Sequence, residues 1–281
     1  MAARFVLDAV NMGAVSHIPR KRFGQHFLHD PGILRKIVQA IAPKPGDNLV
    51  EIGPGEGALT LPLLRELERM TVIELDRDLV PRLEVAAQGV GEIEIIQADV
   101  LTVDFSALAR GAKLRLVGNL PYNISSPILF HCLDHIDAIA DMHFMLQREV
   151  VDRMASAPGS KVYGRLSVML QLVCRVDPLL RVPPGAFRPP PKVDSAVVRL
   201  TPRAAAERPA VDSDLLAHVV KAAFGQRRKT LSNALSGVAT AEQIRGAGID
   251  PRARAEQLKP ADFVAIAQEV SSDPSAGTGD R

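Results

Sequence analysis

The octapeptide GNLPYNIS, Gly118–Ser125, sets an asparagine, a proline and a tyrosine side by side where the apolar run LRLV ends. A plain turn is one reading of it. The other is chemical. The exocyclic amine of adenine is a poor nucleophile because its lone pair is conjugated into the ring. An amide oxygen and a backbone carbonyl that accept its two hydrogens draw the nitrogen toward a pyramidal geometry and expose that lone pair. Asn119 and the carbonyl of Leu120 can form such a pair, and Pro121 stiffens the backbone between them. Tyr122 offers a ring for the base to stack on, an interaction of about 1–3 kcal/mol per base. Fixed acceptors and orientation carry this chemistry without a covalent intermediate.

A second constellation lies upstream. VEIGPGEGALT places Gly53, Gly55 and Gly57 in a strand-to-helix turn, spaced GxGxG rather than GxGxxG. Glycine lets such a turn close sharply and lets a ligand approach the backbone. Glu74 ends the next strand-like run, TVIELD, where a carboxylate can hold both hydroxyls of a ribose, and Asp99 ends the third, IEIIQAD. In an open α/β sheet, ligands bind outside the carboxyl ends of the strands, where all these residues fall. A glycine-rich turn is also compatible with a bare turn, and a nicotinamide or flavin dinucleotide is a further alternative. Glu51 before the glycines and Glu56 among them suit a sulfonium or amino group better than a pyrophosphate. The pattern therefore favours S-adenosyl-L-methionine.

The elements that position these residues alternate. Strand-like NLVEIG, TVIELD, IEIIQAD, LRLVGN and MHFMLQ are separated by helix-length segments such as ALTLPLLREL and DLVPRLEVAAQ. That order predicts a parallel sheet covered on both faces, and the near-continuous apolar runs fit strands buried on both sides. Helices are expected from REVVDRM and from Tyr163–Cys174. A proline-rich stretch, Val182–Asp194, then leads to SAVVRLTP, which is expected to pair antiparallel at the sheet edge with a strand near Val176. Beyond a linker-like Ala204–Ser213, short helices follow. The expected division is a leader over 1–20, an α/β domain over 21–205, a helical domain over 206–270 and a disordered tail over 271–281.

Bulk properties narrow the function classes less. At 281 residues, 47% of them hydrophobic, the chain has material for one large or two modest domains. A net charge of +2 neither demands nor excludes a nucleic-acid partner, so local clusters matter more: PRKRFG (Pro19–Gly24) and FGQRRKTL (Phe224–Leu231). Cys132 and Cys174 lack metal-ligand spacing and sit in apolar contexts, as small buried hydrophobes of a reducing compartment do. No apolar run reaches the roughly 18 residues of a membrane span. No metal site, a monomer and a cytoplasmic location are the corresponding expectations.

Taken in order, KRFGQHFL, VEIGPGEG, TVIELDRDL, QAD, GNLPYNISSPI, MHFMLQREV, YGRLSVM, PPPKVDSAVVRL and FGQRRKTLSNAL make the chain resemble the KsgA/RsmA ribosomal RNA adenine dimethyltransferases, from Lys21 to Gln268. The resemblance implies a Rossmann-like S-adenosylmethionine-dependent methyltransferase sheet with a small C-terminal all-helical domain. It implies transfer of two methyls to N6 of each of two adjacent adenosines, in a hairpin loop near the 3′ end of small-subunit (16S) ribosomal RNA. A role in small-subunit biogenesis follows, with the pre-30S particle as partner. By position, His26 and Leu28 would help close the cofactor site, Gly53 would lie under the methionine part, Glu74 would take the ribose and Asp99 the adenine. Asn119 would face both the methyl donor and the target amine. Tyr122 would stack on the target base, Phe187 would cover its other face, and Arg227, Arg228 and Lys229 would contact RNA phosphates.

The chain departs from the resemblance at His26, where many relatives carry asparagine, and in its longer leader. The histidine puts the pH dependence of cofactor binding in question. Competing readings are the Erm type, which methylates large-subunit RNA, a non-catalytic assembly factor on the same fold, and a nucleotide-dependent oxidoreductase. YGRLSVM, PPPKVDSAVVRL and the QRRKT region fit the small-subunit type better, and intact GPGEG and GNLPY speak for retained chemistry.

Overall fold

The computed structural model describes residues 26–272. The leader, the basic cluster at 19–24, the first residues of KRFGQHFL and the tail from 273 lie outside the described residues. A seven-stranded sheet forms the centre, in the order β4 (Glu92–Gln97), β3 (Arg69–Glu74), β2 (Asn48–Ile52), β5 (Leu114–Asn119), β6 (Ile139–Gln147), β9 (Ser195–Pro202), β7 (Cys174–Val182). The first five strands are parallel; β9 runs antiparallel to β6, and β7 runs antiparallel to β9. The strand order reverses between β2 and β5, the switch point at which an open sheet leaves a crevice. This bears out the α/β reading, including the antiparallel pair at the edge. Tyr163–Cys174 is not one helix: α7 spans Arg165–Val173, and Cys174 opens β7.

Two apolar layers cover the sheet. One face carries α4 (Phe105–Leu108), α5 (Ser125–Asp134), α6 (Arg148–Met154) and part of α7, with Phe105, Ile128, Leu129 and Phe144 fully buried. The other carries α1 (Pro31–Ile41), α2 (Thr60–Leu67) and α3 (Val80–Ala87), through Ile41, Leu63, Leu64 and Ala87. Asp30 caps α1 by accepting from the Ile33 amide, with Pro31 at the first helical position. The α1 C-terminus is held by Arg115, which donates to the Ile41 carbonyl at 2.6 Å and pairs with Asp47 and Asp141.

A two-residue strand β1 (Phe27–Leu28) pairs antiparallel with β8 (Phe187–Arg188) and lies across the crevice. The remaining helices are α8 (Ser213–Gly225), α9 (Leu231–Ala234), α10 (Ala241–Gly246) and α11 (Pro260–Ser272). Their core contains Leu216, Val220 and Phe263, and it borrows Tyr163 and Val168 from the segment before and within α7. The helical region is therefore packed onto the sheet domain across the expected boundary near 205. α11 runs through Ser271 and Ser272, residues expected in the tail; the Ser272 hydroxyl donates to the Gln268 carbonyl and completes the last turn.

Candidate active site

A cavity of about 1090 Å³ opens at the C-terminal ends of β2, β3 and β5 and is walled by the β1 strap and the β8 segment. His26, Leu28, Gly53, Glu74, Asp99, Asn119, Leu120, Pro121 and Tyr122 all line it. Residues separated by nearly a hundred positions in the chain thus meet in one crevice because each sits at a strand end or on the strap.

The glycine turn shapes one wall. Gly55 has φ +60°, and a Cβ there would come within 2.9 Å of the Phe27 ring, so the strap lies directly on the turn. Gly118 serves a different need: a Cβ at this position would come within 2.5 Å of the Ile52 carbonyl, so only glycine lets β5 run this close to the end of β2. Glu74 is 6% exposed. Its carboxylate accepts from the Asp76 amide at 2.7 Å and the Gly55 amide at 3.2 Å. Burial raises its pKa, and these two amides oppose the rise. Asp99 is exposed, caps a short helical turn through Oδ1 at 3.0 Å from the Leu101 amide, and keeps Oδ2 without a partner among the described residues.

Asn119 is fixed by the strap. Its Nδ2 donates to the His26 carbonyl at 2.8 Å. That bond orients the amide and leaves Oδ1 as an acceptor with no partner among the described residues. The Leu120 amide donates to the Met145 carbonyl at 3.1 Å, while its side chain is buried. The Tyr122 ring stacks with His26, centroids 5.5 Å apart at 28°. His26 in turn meets the Pro189 carbonyl through Nδ1 at 2.8 Å.

The expectations fail or weaken at two places. Phe187 is 1% exposed and packs in the buried cluster with Leu28, Val182 and Val197. It does not line the cavity, because its place in β8 turns the ring into the core; Arg188 and Pro189 face the crevice instead. Arg227 is engaged inside the molecule, donating to the Lys161 carbonyl at 2.9 Å and pairing with Glu256. Arg228 and Lys229 are exposed, and their side chains have no partner among the described residues.

The structure also adds residues to the site. Glu51, noted in the sequence only for its charge, is buried at 2% exposure on the cavity wall and accepts from the Thr60 hydroxyl at 2.6 Å. Burial pushes its carboxyl up to about 7, against the opposing hydrogen bond. His143 lies on the same cavity wall; its Nδ1 is 3.3 Å from Asp141 Oδ1, and its Nε2 has no hydrogen-bond partner among the described residues. Leu75, 48% exposed, and Val100 and Leu101 give the Asp99 end an apolar lining. An apolar residue directly after the strand-ending Glu74 was the available signal for Leu75; His143 carried none.

The Ribosomal RNA adenine dimethylase family model matches residues 16–272. The chain belongs to that family. It is a methyltransferase of ribosomal RNA adenine, with S-adenosylmethionine as methyl donor. A protein named Ribosomal RNA small subunit methyltransferase A from Xanthomonas campestris pv. campestris (strain B100) is 64% identical over 88% of this chain and 95% of its own length. A dimethyladenosine transferase from Plasmodium falciparum aligns with TM-score 0.74 at 26% identity, covering 88% of this chain and 98% of that one. The 23S rRNA methyltransferase ErmE aligns with TM-score 0.64 at 25% identity, over 87% and 99%.

The site fits the donor. Two acidic side chains, Glu51 and Glu74, face the cavity and suit a ligand bearing ammonium and sulfonium charge. Glu74 retains lone pairs for a ribose, and a Cβ at Gly53 would meet none of the described residues within 4 Å, so among them the turn leaves room above it. The unpartnered Asp99 oxygen beside Leu75 and Val100 suits an adenine.

Proposed function

We propose that the chain transfers methyl groups from S-adenosylmethionine to N6 of two adjacent adenosines in the 3′-terminal hairpin loop of small-subunit ribosomal RNA, two to each. Bound at Gly53, Glu74 and Asp99, the donor supplies an electrophilic methyl on a positively charged sulfur. Everything else falls to the chain. Asn119 carries the reading: with Nδ2 spent on the His26 carbonyl, Oδ1 is free to accept one hydrogen of the target amine. The Leu120 carbonyl takes the other, and the fixed geometry disfavours the planar, conjugated amine. Tyr122 stacks on the base and sets its plane. The identity of relatives that carry the small-subunit name supports 16S RNA over 23S RNA.

The substrate in this reading is the pre-30S particle, met by a monomer in the cytoplasm. Among the described residues no helix is long and apolar enough to cross a membrane. The helical region docks RNA, with Arg228 and Lys229 on phosphates and Arg227 bracing the loop that carries Lys161. Asn119→Ala tests the assignment. Methyl transfer to undermethylated small subunits should fall by about 10²–10³, the size seen when one preorganised hydrogen-bonding group is lost, while subunit binding persists. Retained transfer would remove Asn119 from the chemistry.

A further inference from the structure

Tyr122 is held at both ends by buried serines that no part of the chemistry described above uses. Its hydroxyl lies 2.6 Å from the Ser195 hydroxyl, and its carbonyl accepts from the Ser125 hydroxyl at 3.2 Å. Ser195 is 0% exposed and Ser125 is 3% exposed. Ser195 opens β9 and stands in register with Gln147 of β6 on one side and Val182 of β7 on the other. Its backbone is thus paired on both sides, at the first position of a strand flanked by two others, which makes it a fixed point from which to hold a ring. Among the described residues, Tyr122 is its one side-chain partner.

We infer that Ser195 is a positioning residue for the methyl transfer: through the Ser195–Tyr122 hydroxyl contact it fixes where the Tyr122 ring presents its face to the target adenine. The inference rests on the stacking role proposed for Tyr122. A phenol oxygen lies on the axis of its own ring rotation, so this bond does not stop the ring turning; it stops the ring swinging about Cα–Cβ. Tilt is limited by His26, stacked at 5.5 Å. Pro121 and the Ser125 bond hold the backbone end. The three restraints together leave the ring one position before any base arrives, so ordering it need not be done at binding.

The contact is also asymmetric. Ser195 is fully buried, so removing the tyrosine hydroxyl strands its own. Tyr122 is only half-buried and can turn to solvent when the serine is replaced. Tyr122→Phe should therefore lower the unfolding midpoint more than Ser195→Ala does, although the latter removes the buried residue's own hydroxyl.

The test uses the full chain and undermethylated small subunits. Ser195→Ala should lower kcat/KM for methyl transfer by about three- to tenfold, the factor equivalent to one net hydrogen bond, with S-adenosylmethionine affinity unchanged. Tyr122→Phe should do the same, and the double variant should lose no more than either alone. Ser195→Thr, which keeps the hydroxyl, should recover part of the loss. A second readout needs no RNA. The chain has two tyrosines, so protein labelled with ¹³C at tyrosine Cζ gives two resonances. Ser195→Ala should shift the one that Tyr122→Phe removes and leave that of Tyr163 in place.

Multiplying losses in the double variant, or unchanged transfer by both single variants, would overturn the inference. So would a lowered donor affinity with an unshifted tyrosine resonance, which would assign Ser195 to the strand rather than to the ring. If the wild-type chain methylates no small-subunit RNA while the resonance still shifts, the functional reading fails and the hydroxyl contact stands.

Discussion

Replacing Glu51 with glutamine should flatten the dependence of stability on pH between about 4.5 and 7. Folding moves this carboxyl from its ordinary 4.5 to about 7, chiefly by burying it. Below pH 4.5 both folded and unfolded chains hold the proton, and the site carries no penalty. As pH rises through 4.5 the unfolded chain ionises first, so stability falls, and the fall is complete once pH exceeds the folded value. At 1.36 kcal/mol per tenfold change in proton affinity, the penalty is about 3 kcal/mol. Glutamine has the same shape, stays neutral, and keeps an oxygen for the Thr60 hydroxyl that now sits 2.6 Å from Glu51. Urea unfolding without donor, followed by circular dichroism at pH 4.5, 6 and 8, should show the variant gaining on wild type with each step. Its advantage should approach about 3 kcal/mol at pH 8. Parallel profiles, or a variant less stable at pH 8, would refute the claim that Glu51 is a strongly desolvated acid. A cationic ligand favours the ionised form, so wild-type protein should release a proton on binding S-adenosylmethionine near pH 6. Calorimetry in buffers of different ionisation enthalpy reads that proton, and Glu51→Gln should reduce it.

Other outcomes follow from the same geometry. Tyr122→Ala should weaken methyl transfer by about 5- to 150-fold, the equivalent of about 1–3 kcal/mol of base stacking, with donor affinity nearly unchanged in equilibrium dialysis. Gly55→Ala should weaken donor binding and lower stability by about 1–2 kcal/mol in thermal unfolding, because a side chain at φ +60° is strained and its Cβ meets the Phe27 ring at 2.9 Å. Replacing Arg228 and Lys229 together should lower the slope of log K for subunit binding against log salt by about 0.7–0.9 for each phosphate no longer neutralised. Arg227→Ala should instead lower the thermal midpoint, because its guanidinium braces the Lys161 carbonyl and Glu256.

Much of the sheet is legible in the sequence because its central parallel strands are buried on both faces, and burial writes itself as apolar runs such as LRLV. Glu74, Asp99 and Asn119 stand out because each polar residue interrupts such a run at the end that faces the crevice. The β1–β8 pair has no such signature. Two residues show no periodicity, and their partners lie about 160 positions away in the chain. That hidden pairing explains the misplacement of Phe187, whose proline-rich setting reads as an exposed loop while pairing with Leu28 turns the ring inward. Arg227 misleads for a related reason: a basic run records charge, whereas its fate depends on a carbonyl and a carboxylate brought near only by tertiary packing. Helices α1 and α5 are absent from the expected elements. For α1 a local signal exists, the Asp30-Pro31 start that caps it, whereas α5 begins without a side-chain cap. Ser195 reads in the sequence only as the start of a strand, since nothing local says that a tyrosine hydroxyl will reach it.

The central claim is methylation of small-subunit RNA, and the direct measurement is nucleoside mass spectrometry of ribosomal RNA. The protein and S-adenosylmethionine would be incubated separately with undermethylated small and large subunits, alongside the Asn119→Ala variant. The account predicts N6,N6-dimethyladenosine at two adjacent positions of the small-subunit 3′-terminal hairpin with the wild-type chain, and at most a trace with the variant. Methylation confined to large-subunit RNA, or small-subunit RNA that gains no methyl while the protein still binds the particle, would contradict it.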